Sequence, residues 1–281
     1  MITKHYYKSI VRAALLLAVT MCITGLAPTF STSAMAFDLG TLNGAYGGNN
    51  SNWVTGSGNG NGSKYFPNSA RQLITFDGAG HLTIDQANND FGTLIRWTVP
   101  GTYTVNADGT GQMSWIGPNG GFHLRDFVIV NGGAQIMSMN SNDFGESSVI
   151  GIGAFIKQLG TTFGLGTLNG TYGGNNLVWV TVSGNANPAV HPISSRELIT
   201  FDGAGHLTND QLIDDAGTIV RQTVTSTYTV NSNGTGQMSW TDPQGVFHMR
   251  DFVIVNASAQ LNSIDDPDGG ALAGVGTFIR Q

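Results

Sequence analysis

Leu39-Gly40-Thr41-Leu42-Asn43-Gly44-Ala45-Tyr46-Gly47-Gly48-Asn49-Asn50 returns almost unchanged as Leu165-Gly166-Thr167-Leu168-Asn169-Gly170-Thr171-Tyr172-Gly173-Gly174-Asn175-Asn176. The match continues down the chain. Leu73-Ile74-Thr75-Phe76-Asp77-Gly78-Ala79-Gly80-His81-Leu82-Thr83 recurs at 198–208, and Gly109-Thr110-Gly111-Gln112-Met113-Ser114-Trp115 at 234–240. Phe122-His123-Leu124-Arg125-Asp126-Phe127-Val128-Ile129-Val130-Asn131 recurs at 247–256, with Met249 for Leu124. The period is far longer than the roughly 20–50 residues of a solenoid unit. The chain therefore reads as two copies of one self-contained domain, 38–158 and 164–281, with a linker at 159–163.

Within a copy, strand signals recur between Gly, Asn and Asp turns. Asp77-Gly78-Ala79-Gly80 and Asp108-Gly109-Thr110-Gly111 are hairpin turns, because Asp and Gly tolerate positive φ. Between such turns lie strand segments at 71–76, 81–86, 94–99, 102–106, 112–116, 122–131, 135–138 and 149–157, with an opening strand around 44–57. No helical periodicity runs through them. The expected fold is all-β: two tandem antiparallel meanders, each closing into a small eight-stranded barrel or, as the alternative, folding into a sandwich; the continuous strand order without a long crossover favours the barrel. A barrel of that size is just wide enough to be filled by side chains or to hold one small ligand.

Residues 1–36 read as a signal peptide; the alternative, a retained membrane anchor, is disfavoured because the apolar run is shorter than the ~20 residues of a spanning helix. Lys4, Lys8 and Arg12 form a basic start, 13–27 is apolar, and Ala34-Met35-Ala36 is a cleavage signature. The mature protein is then secreted or periplasmic, without membrane insertion. Losing those three cations takes the formal net charge further below its full-chain value of −6 and removes the one cysteine, Cys22. An acidic chain without basic clusters is a poor match for nucleic acid. No thiol chemistry, metal site or cofactor is expected.

Leu42-Asn43-Gly44-Ala45-Tyr46, Ile74-Thr75-Phe76-Asp77-Gly78-Ala79-Gly80, Gly101-Thr102-Tyr103-Thr104-Val105-Asn106 and the closing Ile156-Lys157-Gln158 form a pattern that resembles a group of secreted, mostly uncharacterised bacterial domains. That group is similar to calycin-like small barrels and, more distantly, to allene oxide cyclase and dirigent barrels. The resemblance covers nearly all of the mature chain. It implies a barrel and carries no catalytic residue over.

The strand at 122–131 is the most unusual. Phe122, Leu124, Asp126, Val128 and Val130 share one face, and His123, Arg125, Phe127, Ile129 and Asn131 the other. If the first face lines the core, Asp126 is a carboxylate in apolar company, with Asp251 beside His248 and Arg250 in the same position. His123, Arg125 and Asp126, with Trp115 and Tyr103, are the ligand-pocket candidates of the first copy; His248, Arg250, Asp251, Trp240 and Tyr228 are those of the second. The alternatives are a structural ion pair and barrel-core aromatics. Trp97, opposite Gln222 in the other copy, is expected to be exposed.

These features point to a secreted non-catalytic binding or surface module with a small apolar or sugar-sized pocket in each domain. The alternatives are a cyclase or isomerase of the allene oxide cyclase or dirigent type, and a structural envelope or matrix protein. A small apolar molecule or a glycan is the expected partner; oligomeric state is not legible.

Overall fold

The computed structural model describes residues 36–281 apart from 56–64, 91, 142–148, 161, 182–189 and 267–270. The signal-peptide reading therefore lies outside the described residues. Barrel 1 consists of β1 (Asn43–Thr55), β2 (Tyr65–Asp77), β3 (His81–Asp90), β4 (Thr93–Val105), β5 (Thr110–Ile116), β6 (Phe122–Val130), β7 (Gln135–Asn140) and β8 (Val149–Lys157). Barrel 2 repeats the series as β9 (Asn169–Thr181), β10 (Val190–Asp202), β11 (His206–Asp215), β12 (Thr218–Val230), β13 (Thr235–Thr241), β14 (Phe247–Val255), β15 (Gln260–Asp265) and β16 (Ala271–Arg280). In each barrel every strand pairs antiparallel with the next, and the last returns to the first, so both sheets are closed. Closure leaves no free sheet edge.

The hairpins form as their residues dictate. Asp77 Oδ1 accepts from the backbone N–H of Ala79 (2.7 Å) and of His81 (3.0 Å), while Gly78 takes φ of 77°. Those donors hold the Asp77 carboxyl below its usual range. Asp202 does the same for the second copy. The segments read separately at 94–99 and 102–106 are one strand, β4. Pro100 sits in its middle without disrupting the ladder, because the β4–β5 pairing begins at Gly101 and leaves that side of Pro100 without a partner strand.

Alternation then sorts the side chains. In β5 Gly111, Met113 and Trp115 are buried, while Thr110, Gln112 and Ile116 are exposed. Edge-to-face rings run through one end of each core: Tyr46–Phe76 (5.4 Å) and Phe76–Tyr103 (4.9 Å), with Tyr172–Phe201–Tyr228 in the same arrangement. A 3₁₀ turn at Leu39–Thr41 closes that end, and the Tyr103 hydroxyl donates to the carbonyls of Leu39 (2.9 Å) and Leu42 (3.1 Å).

The barrels pack through unlike faces. The outer side of β1–β2 lies on the outer side of β14–β15–β16. Leu73 packs on Val253 and Val255, flanked by Ala45 and Ile156. Asn49 Nδ2 donates to the carbonyls of Gly276 (2.9 Å) and Ser263 (3.3 Å), and the Gly274 N–H donates to Ser69 Oγ (3.1 Å). Gly47 permits the close approach: a Cβ there would lie 2.6 Å from the methyls of both Val253 and Val255. Gly47→Ala is accordingly expected to cost about 1–3 kcal/mol through overpacking, read as a lowered thermal midpoint. An unchanged midpoint would mean that the barrels do not meet here.

Candidate functional site

Barrel interiors carry a polar layer above the aromatic one, and its centre is Arg125 in barrel 1 and Arg250 in barrel 2. Both are buried. The Arg125 guanidinium lies 5.2 Å from the Trp115 ring and 5.6 Å from Phe155; Arg250 lies 5.0 Å from Trp240 and 5.7 Å from Phe278. His123 stacks on Trp115 (5.1 Å, 17°) and His248 on Trp240 (5.3 Å, 19°). The strand register causes this, since Trp115 faces His123 across β5–β6 and Trp240 faces His248 across β13–β14.

The two layers differ in charge. Arg125 Nε donates to Asn140 Oδ1 (3.0 Å) and its Nη1 to Gln72 Oε1 (2.7 Å). Barrel 2 replaces both amides with acids. Arg250 binds Glu197 through both Nη atoms (2.7 and 2.9 Å) and donates from Nε to Asp265 Oδ1 (2.6 Å). Asn209, Ser195 and Asn176 donate to the same carboxylates. Burial alone would push the Glu197 carboxyl up. The Arg250 charge and these donors overcome it and hold the group down to about 2. Arg250 is pushed up by its two acids, against its own burial.

The candidate residues therefore divide. Trp115, His123 and Arg125 come together inside barrel 1, as Trp240, His248 and Arg250 do inside barrel 2. Tyr103 and Tyr228 belong to the same cores, but their hydroxyls are committed to the 3₁₀ turns. Asp126 and Asp251 stand on the opposite, outer face, so the core lies on the Arg125–Phe127–Ile129 side of β6. That corrects the reading in which Asp126 lines the core beside His123 and Arg125. Asp126 accepts from Gln112 Nε2 (2.8 Å) at the surface. Asp251 is buried, but by the other barrel, and its cation is Arg96 (2.8 Å), not Arg250. Arg96 also reaches Asp266 (3.2 Å). Trp97, expected to be exposed, is half-buried against the barrel 1 core.

Sequence reasoning passed over Glu197 and the pairing of Asp265 with Arg250, and it passed over Arg96. A signal for the first two existed. Gln72 against Glu197 and Asn140 against Asp265 are matched positions at which both changes add an acid, and both point at an arginine present in each copy. Nothing local marks Arg96, whose partners lie in the other barrel. Among the described residues no group of three His, Cys, Asp or Glu side chains could hold a metal ion.

Among the described residues, clefts lie on the outside. One of about 610 Å³ runs over β6–β7–β8 between Val128, Met137, Met139 and Ile152, with Asn49 and Val275 at its border. A second, of about 930 Å³, covers β9–β10 beside Leu177, Arg196 and Ile279.

No protein-family model matches the chain, and no curated protein does. Among solved structures it is similar to a protein of unknown function from the DUF3598 family of Nostoc punctiforme (11% identity, 88% of this chain and 100% of that one, TM-score 0.27). It is also similar to a transferrin binding protein B mutant from Haemophilus parasuis (9% identity, 84% and 76% covered, TM-score 0.29). Transferrin binding protein B of serogroup B Neisseria meningitidis aligns at 10% identity over 85% of this chain and 76% of that one, TM-score 0.29. Scores this low support no functional transfer. The functional reading rests on the chain's own surfaces. No helix among the described residues is long and apolar enough to cross a membrane.

Proposed function

We propose that the chain is a non-catalytic, extracytoplasmic binding or surface module, and that it works through the outer β6–β7–β8 face of barrel 1. The observation behind this is a contrast between the copies. Val128, Met139 and Ile152 are 39%, 55% and 73% exposed, whereas Val253 and Ile264, which match the first two, are fully buried under barrel 1. An apolar face left open on one copy and covered on the other is the kind of patch that marks an interaction site. The cleft over it falls within the range of small-molecule sites, about 300–1,000 Å³, so a small apolar ligand is the class it would accept. The resemblance of the motifs to secreted calycin-like domains agrees with that reading, as does the signal-peptide pattern at 1–36.

The inner layers favour this over a cyclase. Trp115, His123 and Arg125 are packed on one another, and Asp126 is directed away from them.

The test is a titration of dilute protein with Nile red, comparing the parent with Met139→Asp. Saturable binding by the parent and at least tenfold weaker binding by the variant are expected. Equal binding by both would place the working surface elsewhere.

A further inference from the structure

We propose that the chain assembles head to tail, the β6–β7–β8 face of barrel 1 in one copy docking on the β9–β10 face of barrel 2 in a second. The inference rests on the proposed use of the β6–β7–β8 face and names its partner.

The chain already contains this contact once. Within it, the β1–β2 face of barrel 1 covers the β14–β15–β16 face of barrel 2. Each barrel carries both kinds of face, so one of each is left over: β9–β10, which repeats β1–β2, and β6–β7–β8, which repeats β14–β15–β16. The leftover faces keep the residues that make the internal contact. Leu73 on Val253 and Val255 corresponds to Leu198 with Val128 and Val130. Gly47, which lets those valines approach, corresponds to Gly173. Asn49, donating to the Ser263 and Gly276 carbonyls, corresponds to Asn175 with Ser138 and Gly153. Ser69, bonded by Gly274, corresponds to Ser194 with Gly151. The ion pair of Arg96 with Asp251 corresponds to exposed Arg221 with Asp126.

Apart from Trp179, which packs edge-to-face on Trp53 of barrel 1 (5.0 Å), both leftover faces are open. Clefts of about 610 and 930 Å³ lie over them, and Met137, Met139, Ile152 and Ile279 are exposed there. Because the two surfaces differ, the contact is heterologous. It repeats from copy to copy and builds a ring or a filament according to the rotation it imposes.

Thr171 stands where Ala45 flanks the apolar cluster, and three polar positions depart from the internal pattern in a way that weakens the contact. Asn89, which donates to the Asp265 carbonyl, becomes Asp214, which has no amide proton to give. Asn233, which donates to Asp85, becomes Asp108, so that Asp108 meets Asp210 as a like charge. Asp266, second partner of Arg96, becomes Ser141. The internal contact also has the advantage of the covalent link, which acts as a millimolar effective concentration. Association between copies is therefore concentration-dependent, while the internal contact is permanent.

Sedimentation velocity from micromolar to hundreds of micromolar protein tests this. The parent is expected to shift to larger species as concentration rises. Met139→Asp spoils the barrel 1 face and Leu198→Asp the barrel 2 face, so each variant alone should remain monomeric at the top of the range. Mixed in equal amounts, the two should form a 1:1 dimer and nothing larger, since each brings the face the other lacks. Asp108→Asn with Asp214→Asn should tighten parental association about tenfold. Circular dichroism checks that every variant is folded. A parent monomeric throughout, variants that associate like the parent, or a mixture that stays monomeric would each overturn the proposal. A monomeric parent that still binds Nile red would remove the head-to-tail contact and leave the apolar binding face standing. A monomer that binds none would remove both.

Discussion

Arg250→Ala is expected to unfold barrel 2, at a cost of about 3–5 kcal/mol. The loss is large because of what stays behind. Glu197 and Asp265 are both buried, and Arg250 is the cation that contacts each of them. Without it, two carboxylates must be neutralised or hydrated inside a closed barrel. The matched change in the first copy separates charge from packing. Arg125→Ala removes a guanidinium stacked in the same way, but at the two positions where barrel 2 has Glu197 and Asp265 it leaves the amides of Gln72 and Asn140. Its expected cost is smaller, about 1–3 kcal/mol, the penalty for unsatisfied neutral polar groups. Urea unfolding of both variants decides the matter; equal losses would show that stacking, not charge pairing, holds the layer.

Acid should discriminate between the barrels in the same way. Glu197 titrates at about 2 in the folded protein against 4.5 ordinarily, a depressed carboxyl. Its contribution is complete above the unfolded value and disappears as pH falls from 4.5 towards 2. Each tenfold change in proton affinity is worth roughly 1.4 kcal/mol, so the depression amounts to about 3 kcal/mol. Barrel 1 has Gln72 at this position and loses nothing there. Barrel 2 is therefore expected to unfold first on acidification.

Val253→Asp is expected to separate the barrels. Val253 is fully buried between them against Leu73 and beside Gly47. A carboxylate at that point would sit in apolar company, costing several kcal/mol unless the interface opens. Each barrel has its own closed sheet and its own core. The expected product is thus two folded barrels on a tether, seen as an increased radius in small-angle scattering with unchanged circular dichroism. A compact particle would show that the remaining contacts, such as Arg96–Asp251, hold without the valine.

Much of the fold was legible because it is local. Asp-Gly turns such as Asp77-Gly78 impose hairpins by their own hydrogen bonds, and the duplication shows every turn twice. What stayed hidden was not local. Alternation in β6 sorts Asp126 from Arg125 correctly, but both faces carry apolar residues, so it does not say which is inside. The reason is visible in β14, whose outer residues Val253 and Val255 are apolar because another barrel lies on them. The segments at 94–99 and 102–106 read as separate strands because sequence does not show that the β4–β5 pairing stops at Gly101 and spares Pro100. Asp251 read as a partner of His248 and Arg250, while its actual cation, Arg96, sits in the other barrel.

Methionine oxidation followed by mass spectrometry tests most directly whether the β6–β7–β8 face is the open, working surface. Met137 and Met139 lie on that face, while Met113 and Met238 are inside the barrels. In dilute protein the first pair is expected to oxidise rapidly and the second pair slowly, and saturating Nile red should protect Met137 and Met139 alone. If Met137 and Met139 react as slowly as Met113, or react unchanged when the ligand is bound, the face is not the binding surface proposed for it.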